Sequence, residues 1–267
     1  MARPVRITQY HVDTRGAAPA MKIAVIADLH ASTPFWGAGR VAALVDQVNA
    51  LGADLILLLG DYVGHSWGTT PVTPDVVAAE LLRLQAPLGV NGVFGNHDWR
   101  DDPGAQAARR PTIWHDTFAQ AGLRMLNNDV VHLPTTPRVQ LAGLDSQEAF
   151  RRRDATDMPE NQVGAHDLDL VLSQLDPDTF SILMAHEPDV FPDLPSHINL
   201  TISGHTHGGQ IAPFGQRWFV PSKYGTRYSY GHVHETGKDL IISGGLGTSI
   251  LPIRIGVPPE VVEVTLI

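Results

Sequence analysis

The stretch that most restricts this chain is Ser203-Gly204-His205-Thr206-His207-Gly208-Gly209-Gln210, which follows the apolar run 198–202. The run reads as a buried strand, so the motif sits at a strand end. In an extended segment, side chains two residues apart point the same way. Both imidazoles can then reach one side of a cavity. The flanking glycines let the backbone turn tightly and leave room beside the main chain. Neutral imidazole is the commonest protein ligand for metals. Two histidines do not complete a site, so the fold has to bring other donors to them.

Four more apolar runs end in the same manner. Residues 22–27 stop at Asp28-Leu29-His30, and 54–59 at Gly60-Asp61. Residues 92–94 stop at Gly95-Asn96-His97-Asp98, and 180–185 at His186. Each run reads as a short buried strand. In α/β sheets, sites form outside the carboxyl ends of the strands, and strands packed side by side would bring these ends together. Taken singly, an Asp-x-His or a Gly-Asp is a turn. Five strand ends carrying oxygen and nitrogen donors in one chain point to a shared site.

Around these runs, the pattern is that of a layered α/β sandwich. Residues 5–12 read as an edge strand and 16–19 as a turn. Val41, Leu44, Val45 and Val48 have helical spacing, which predicts a helix over 39–51 closed by Gly52. Pro74-Asp75 opens a second helix, to about residue 84. A third covers 111–121, with proline near its start and Gly122 just past its end. A fourth covers 168–175. Further strands are expected at 124–126, 139–142, 199–203, 216–220, 228–235, 240–243 and 261–267. Residues 147–166, with Arg151-Arg152-Arg153, read as an exposed charged loop. No repeat or low-complexity linker divides the 267 residues. The expectation is one domain over 1–267, with an N-terminal edge strand and turn over 1–20 and a core over 21–267.

Composition narrows the function classes. A 43% apolar content permits a sizeable core. A net charge of -9 argues against a sequence-independent grip on nucleic acid. Without cysteine there is neither a disulfide nor a thiolate metal site. Residues 1–20 hold Arg3, Arg6, Asp13 and Arg15 and no long apolar run, so they do not read as a signal peptide. No run reaches the about 18 apolar residues of a spanning helix. The expectation is a cytoplasmic protein without a transmembrane segment, with peripheral membrane contact left open.

The ordered set Asp28-x-His30, Gly60-Asp61, Gly95-Asn96-His97-Asp98, His186 and Gly204-His205-x-His207 resembles the calcineurin-like metallophosphoesterases, from Lys22 to the C-terminus. Gly204-His205-Thr206-His207-Gly208-Gly209-Gln210 resembles one bacterial branch of that family. So does Gly245-Leu246-Gly247-Thr248-Ser249 with Pro252, Arg254 and Pro258-Pro259-Glu260. The branch holds small phosphodiesterases, among them hydrolases of the lipid A precursor UDP-diacylglucosamine. The resemblance implies a four-layer α/β/β/α sandwich, two mixed β-sheets flanked by helices. It also implies two divalent metal ions, of Mn, Fe or Zn, in keeping with carboxylate, amide and imidazole donors.

In that family pattern, Asp28, His30, Asp61 and His207 hold the first metal. Asp61, Asn96, His186 and His205 hold the second, and Asp61 bridges. A metal-bridging hydroxide attacks phosphorus in line, while the cations neutralise charge in the transition state. His97 is the implied catalytic residue, contacting the phosphate or protonating the leaving oxygen. In phosphoprotein phosphatases an aspartate three residues after the bridging one orients this histidine. Here that position is Gly64, which leaves Asp98 as the local candidate. The implied substrate is a small-molecule phosphate ester, read as a phosphodiester. A phosphomonoesterase or a pyrophosphohydrolase acting on a UDP-diacylglucosamine-like substrate is the alternative on the same site.

Other features have plainer readings. His232-Val233-His234 copies the paired-histidine spacing but reads as a strand or hairpin. His65 either lines the pocket or sits on an exposed loop. His11, His115, His132, His166 and His197 read as structural or exposed. Gly64-His65-Ser66-Trp67-Gly68 fits a nucleophile elbow, which makes a serine esterase acting through Ser66 the rival enzyme class. An elbow turns straight from strand into helix, and Thr69, Thr70, Pro71 and Pro74 do not start one promptly. Phe35, Trp36, Trp67, Trp99 and Trp218 are either core or an apolar wall for the leaving group. The arginine triplet is either a solvated loop or a clamp for an anionic substrate. A non-catalytic scaffold that had lost ligands is disfavoured, because every expected ligand is present.

Overall fold

The central strands are apolar on both faces, and this decides the layering. In Met21–Ile26 (β2) and Leu55–Leu58 (β4), Ile23, Val25, Leu55 and Leu57 belong to one buried cluster. Ala24, Ile26, Ile56 and Leu58 belong to another. Alternate residues of a strand face opposite ways, so both faces must be covered. The computed structural model describes residues 5–151 and 163–267.

The first sheet has six strands in the order β1 (Arg6–Val12), β14 (Glu260–Leu266), β2, β4, β6 (Val90–Gly92) and β7 (Arg124–Met125). Only the β14–β2 pair within it is antiparallel. The second sheet runs β12 (Gly231–Glu235), β13 (Lys238–Ile242), β11 (Leu200–Ser203), β10 (Phe180–Ala185), β9 (Val139–Leu144) and β8 (Asp129–Leu133). Its two outer pairs are antiparallel and its centre is parallel.

The sheets pack face to face, with Val25 and Leu57 meeting Leu141, Ile182, Met184 and Ile202 in one core. Helices α1 (Ala38–Asn49), α2 (Pro74–Leu81) and α5 (Ile113–Ala121) cover the outer face of the first sheet. Val41, Leu44, Val77 and Phe118 are their contacts to it. Helix α6 (Leu168–Gln174) and the 3-10 turn Pro188–Asp193 cover the second sheet through Val171 and Phe191. The chain thus adopts the expected α/β/β/α layers, with two mixed sheets.

Several local expectations fail for identifiable reasons. Residues 216–220 form no strand; Arg217 there donates to the Gly208 carbonyl at 3.0 Å instead of entering a ladder. The strand expected over 228–235 begins only at Gly231. Strand β8 was unforeseen, and it exists because β9 offers it an antiparallel partner. Helix α3 (Asn96–Arg100) starts where only a strand end was expected. The Asp98 carboxylate accepts from the Gly95 N–H at 2.9 Å and so closes the first turn. Of the arginine triplet, Arg151 pairs with Glu148 at 3.1 Å, and Arg152 and Arg153 lie outside the described residues.

The five donor-bearing strand ends are not neighbours in a single sheet. Strands β2, β4 and β6 deliver Asp28, Asp61 and Asn96 from the first sheet. Strands β10 and β11 deliver His186 and His205 from the second. The site lies where the carboxyl ends of both sheets meet.

Candidate metal centre

Two buried groups of side chains converge there. In the first, ligand atoms of Asp28, His30, Asp61 and His207 all lie within 4.8 Å of one another; in the second, those of Asp61, His186 and His205 do. Asp61 Oδ2 belongs to both, 3.5 Å from His30 Nε2 and 3.3 Å from His186 Nε2. The two rings are held ready by their other nitrogens. His30 Nδ1 donates to the Val63 carbonyl at 2.8 Å and His186 Nδ1 to that of Leu59 at 2.5 Å. With Nδ1 on the carbonyl, it is Nε2 of each ring that faces the centre. His207 Nε2 lies 3.1 Å from His30 Nε2 and 3.8 Å from Asp28 Oδ1.

The donor set fits two divalent cations. Asp28 Oδ1 accepts from the His205 N–H at 2.9 Å, but its Oδ2 is buried without a partner. A buried carboxylate oxygen left unpaired is costly, and a cation would satisfy it. A Cβ on Gly245 would come within 2.6 Å of that oxygen, so only glycine leaves the space around it. His207 differs. Its Nδ1 faces the Arg254 guanidinium at 3.1 Å and accepts there, so a cation on Nε2 would displace the proton of that nitrogen.

Asn96 can be turned two ways. With Oδ1 3.0 Å from His205 Nδ1, it joins the second group of donors. Turned over, its amide donates to His205 Nδ1 at 3.0 Å and His186 Nε2 at 3.3 Å, while Oδ1 accepts from Arg100 Nη2 at 3.2 Å. The turned arrangement pairs every donor with an acceptor; a cation on the inner side would select the first. Arg100, which also pairs with Glu148 at 3.0 Å, therefore competes for the Asn96 oxygen. The sequence offered no sign of that competition.

The backbone reaches this geometry by turning left-handed. Asp28, His30, Asp61, His205 and His207 have φ of 50°, 42°, 55°, 67° and 52°. Non-glycine residues occupy that region at a cost of about 1 kcal/mol or more each. The expectation that His205 and His207 share a side because the segment is extended is therefore corrected. Thr206 between them is helical, at φ -77° and ψ -14°. The two imidazoles serve different groups, His207 the first and His205 the second.

Asp98 does not orient His97. Its Oδ2 accepts from the N–H of Asp61 and of Gly95, both at 2.9 Å, and its Oδ1 from those of Tyr62 at 2.8 Å and Val63 at 3.3 Å. It stitches the β4 loop to the start of α3. His97 is placed by its own N–H, which donates to Asp61 Oδ1 at 2.8 Å, and its ring stands edge-on to His30 at 5.0 Å. Among the described residues no side chain bonds its ring nitrogens.

The electrostatics follow from burial of many charges in a small volume. Burial pushes Asp28 up to about 7, against the pull of His186 and helped by the charge of Asp61. Burial also acts to raise Asp61, but His186, His97 and His30 around it hold it well below the carboxylate range. Burial disfavours a charged His186, yet Asp61 beside it raises its pKa well above the ordinary value. Burial lowers His30 and His207 and takes His205 to about 3, leaving these imidazoles neutral.

The remaining candidates are sorted by the same geometry. Ser66 donates to the Thr248 carbonyl at 2.7 Å, and the next regular helix begins only at Pro74, so no nucleophile elbow exists. His232 and His234 share Asp239 Oδ1 at 2.7 and 2.9 Å on the β12–β13 hairpin. His65 is exposed and bonds Asp101 at 2.8 Å. Trp36 and Trp99 are core, whereas Phe35, Trp67 and Trp218 are exposed. His166, read as structural or exposed, instead lines a cavity of about 360 Å³ together with His205, Arg151, Glu187 and Lys223.

The family model of the calcineurin-like phosphoesterases matches residues 21–209, a span that carries every donor named above. This chain belongs to that family. It is accordingly a phosphoesterase, a hydrolase of phosphoric ester bonds. The phosphoesterase is 28% identical over 251 residues to the uncharacterized metallophosphoesterase YkuE of Bacillus subtilis, covering 92% of this chain and 78% of that one. It is 26% identical over 269 residues to an uncharacterized metallophosphoesterase of Aquifex aeolicus, covering 98% and 92%. Its fold overlays on a dimetal phosphatase from Danio rerio with a TM-score of 0.49 and 14% identity, covering 85% and 88% of the two chains. No helix among the described residues is long and apolar enough to cross a membrane.

Proposed function

We propose that this phosphoesterase hydrolyses phosphodiesters, using two divalent cations. Asp28, His30, Asp61 and His207 would hold one and Asp61, Asn96, His186 and His205 the other. The observation that carries the reading is Asp61 Oδ2, which stands between His30 Nε2 at 3.5 Å and His186 Nε2 at 3.3 Å. One carboxylate oxygen with an imidazole Nε2 on either side is a bridging ligand in waiting. Bound there, the cations would supply Lewis acidity, acidifying a water for in-line attack on phosphorus and neutralising charge on the phosphoryl oxygens.

The protein's own groups have separable tasks. Asp98 ties the loop carrying Asp61 to the helix carrying Asn96, so the two donors keep their spacing. His97 stands at the partly open rim of the centre. Burial holds its pKa well below the ordinary value, although Asp61 opposes this. A neutral imidazole supports hydrogen bonding to a phosphoryl oxygen more than protonation of the leaving group. The cavity beside His205 leaves room for a second ester substituent, which a diester has and a monoester lacks. Support for treating 1–267 as one catalytic domain comes from β1 and β14, whose pairing ties the two chain ends into the first sheet.

A second reading is a pyrophosphohydrolase, which would seat a further phosphate by Arg151 and Lys223 of that cavity against the opposition of Glu148, Glu187, Asp189 and Asp193, which line it too. The experiment is to strip the protein with chelator and restore Mn(II), Fe(II) or Zn(II) one at a time. Turnover of bis(p-nitrophenyl) phosphate, p-nitrophenyl phosphate and a nucleotide diphosphate sugar is then measured. Diester hydrolysis lost on stripping and regained with a cation is the expected result. Activity indifferent to chelation removes the metal reading; faster cleavage of the sugar nucleotide passes the assignment to the second one.

A further inference from the structure

An apolar surface borders the metal centre, and the proposed hydrolysis makes no use of it. Phe214 is 103% exposed, Trp218 74%, Phe219 70% and Trp67 70%, with Ile250 and Ile253 about half exposed beside them. These side chains come from different loops that the backbone binds together. The Trp67 N–H donates to the Ile250 carbonyl at 2.8 Å, and the Ala212 N–H to that of Ile255 at 2.7 Å. Arg217 holds the loop carrying Trp218 and Phe219 against Gly208, next to His207.

Isolated exposed apolar residues are ordinary, but a contiguous group marks an interaction surface. Here the chain also bears a cost to present it. Phe214 and Ile250 hold left-handed backbone, at φ 54° and 63°. A bulky or β-branched residue in that region is an outlier.

Charge says what covers the face. The chain has 28 acidic residues, yet none falls in 29–45, 62–74, 194–234 or 240–259, the stretches that build this side. The same stretches carry Arg40, Arg217 and Lys223, besides Arg227, which pairs with Glu235, and Arg254, which is engaged with backbone carbonyls and His207. A protein of net charge -9 has thus kept these stretches themselves free of acidic residues and set aromatic and aliphatic side chains there. We propose that this face docks on a lipid bilayer bearing anionic headgroups. Trp67 and Trp218 enter the headgroup zone, where an amphipathic indole is at home. Arg40, Arg217 and Lys223 meet lipid phosphates, and the acidic remainder of the surface keeps the protein from lying on any other side. Rings standing singly on irregular loops insert between lipids, whereas a second copy of the chain would need a flat or grooved complement.

The test uses the full chain loaded with Mn(II) and vesicles of phosphatidylcholine, alone or mixed with phosphatidylglycerol. The wild type is expected to sediment with the mixed vesicles, less so as salt is raised, with tryptophan emission shifted to the blue. The Phe214→Ser/Trp218→Ser/Phe219→Ser variant is expected to lose at least about tenfold in partitioning. Its turnover of water-soluble bis(p-nitrophenyl) phosphate should equal the wild type's, which shows that it is folded. Absence of wild-type sedimentation, or equal partitioning of the variant, overturns the proposal. So does a wild-type dimer that the variant dissociates, because the face would then belong to a second copy. The diester assay reads the hydrolytic assignment separately, so failure of one leaves the other standing.

Discussion

Arg254 Nη2 lies 3.1 Å from His207 Nδ1, the position at which His30 and His186 each donate to a backbone carbonyl. The guanidinium is fixed by the carbonyls of Gly247 at 2.6 Å and Gly244 at 2.7 Å. It thus aims an imidazole that no backbone carbonyl orients among the described residues. Arg254→Leu is expected to lower metal affinity or turnover by about 10- to 100-fold, the range for groups that orient a ligand. Arg254→Lys should recover little, because an ammonium cannot span both carbonyls and the ring. Metal titration and diester kinetics on both variants check this; wild-type behaviour of Arg254→Leu would remove the orienting role.

Asp61→Asn removes the charge shared by both groups of donors. The variant is expected to retain neither cation and to lose about 100- to 1000-fold in rate. Metal content after gel filtration, read beside kcat, is the measurement. His234→Ala is the control and should change neither.

His97→Ala should separate binding from turnover. Its ring touches no buried carboxylate directly, so both cations are expected to stay bound. Diester kcat should fall by roughly 100-fold. A parent rate with full metal content would show that His97 has no part in the reaction.

Metal uptake should release protons and weaken in acid. Asp28 sits at about 7 in the metal-free protein, raised first by burial. Its proton is therefore largely on at about pH 6 and off at about pH 8, and it must leave before the carboxylate can ligate. Apparent affinity is expected to rise as pH climbs through about 7. Calorimetric titration in buffers of different ionisation enthalpy counts the protons. Uptake without proton release at about pH 6 would contradict the raised value.

Gly64→Asp places a carboxylate where phosphoprotein phosphatases have one. A Cβ there overlaps the His30 carbonyl and comes within 2.8 Å of Ser32 Oγ. The expected result is destabilisation by about 1–3 kcal/mol, with no gain in rate. Thermal melting and diester kinetics decide it; a faster enzyme would mean that His97 lacked only this partner.

What could be read along the chain was whatever is local. Continuous apolar runs in 22–27 and 54–59 announced strands buried on both faces, and the donors that end them announced a site. The seven candidate donors and their order were singled out from those strand ends together with the family resemblance. How they meet was decided elsewhere. The left-handed turns at Asp28, His30, Asp61, His205 and His207 are local conformations held only by contacts from distant segments, so no local pattern encodes them. The division of His205 and His207 between two groups follows from those turns. Arg254 was visible only as part of a motif, because its partner lies 47 residues away. Hydrophobic period is a property of neighbours in the chain, whereas a metal centre joins the ends of two sheets that touch only once the core between them has packed.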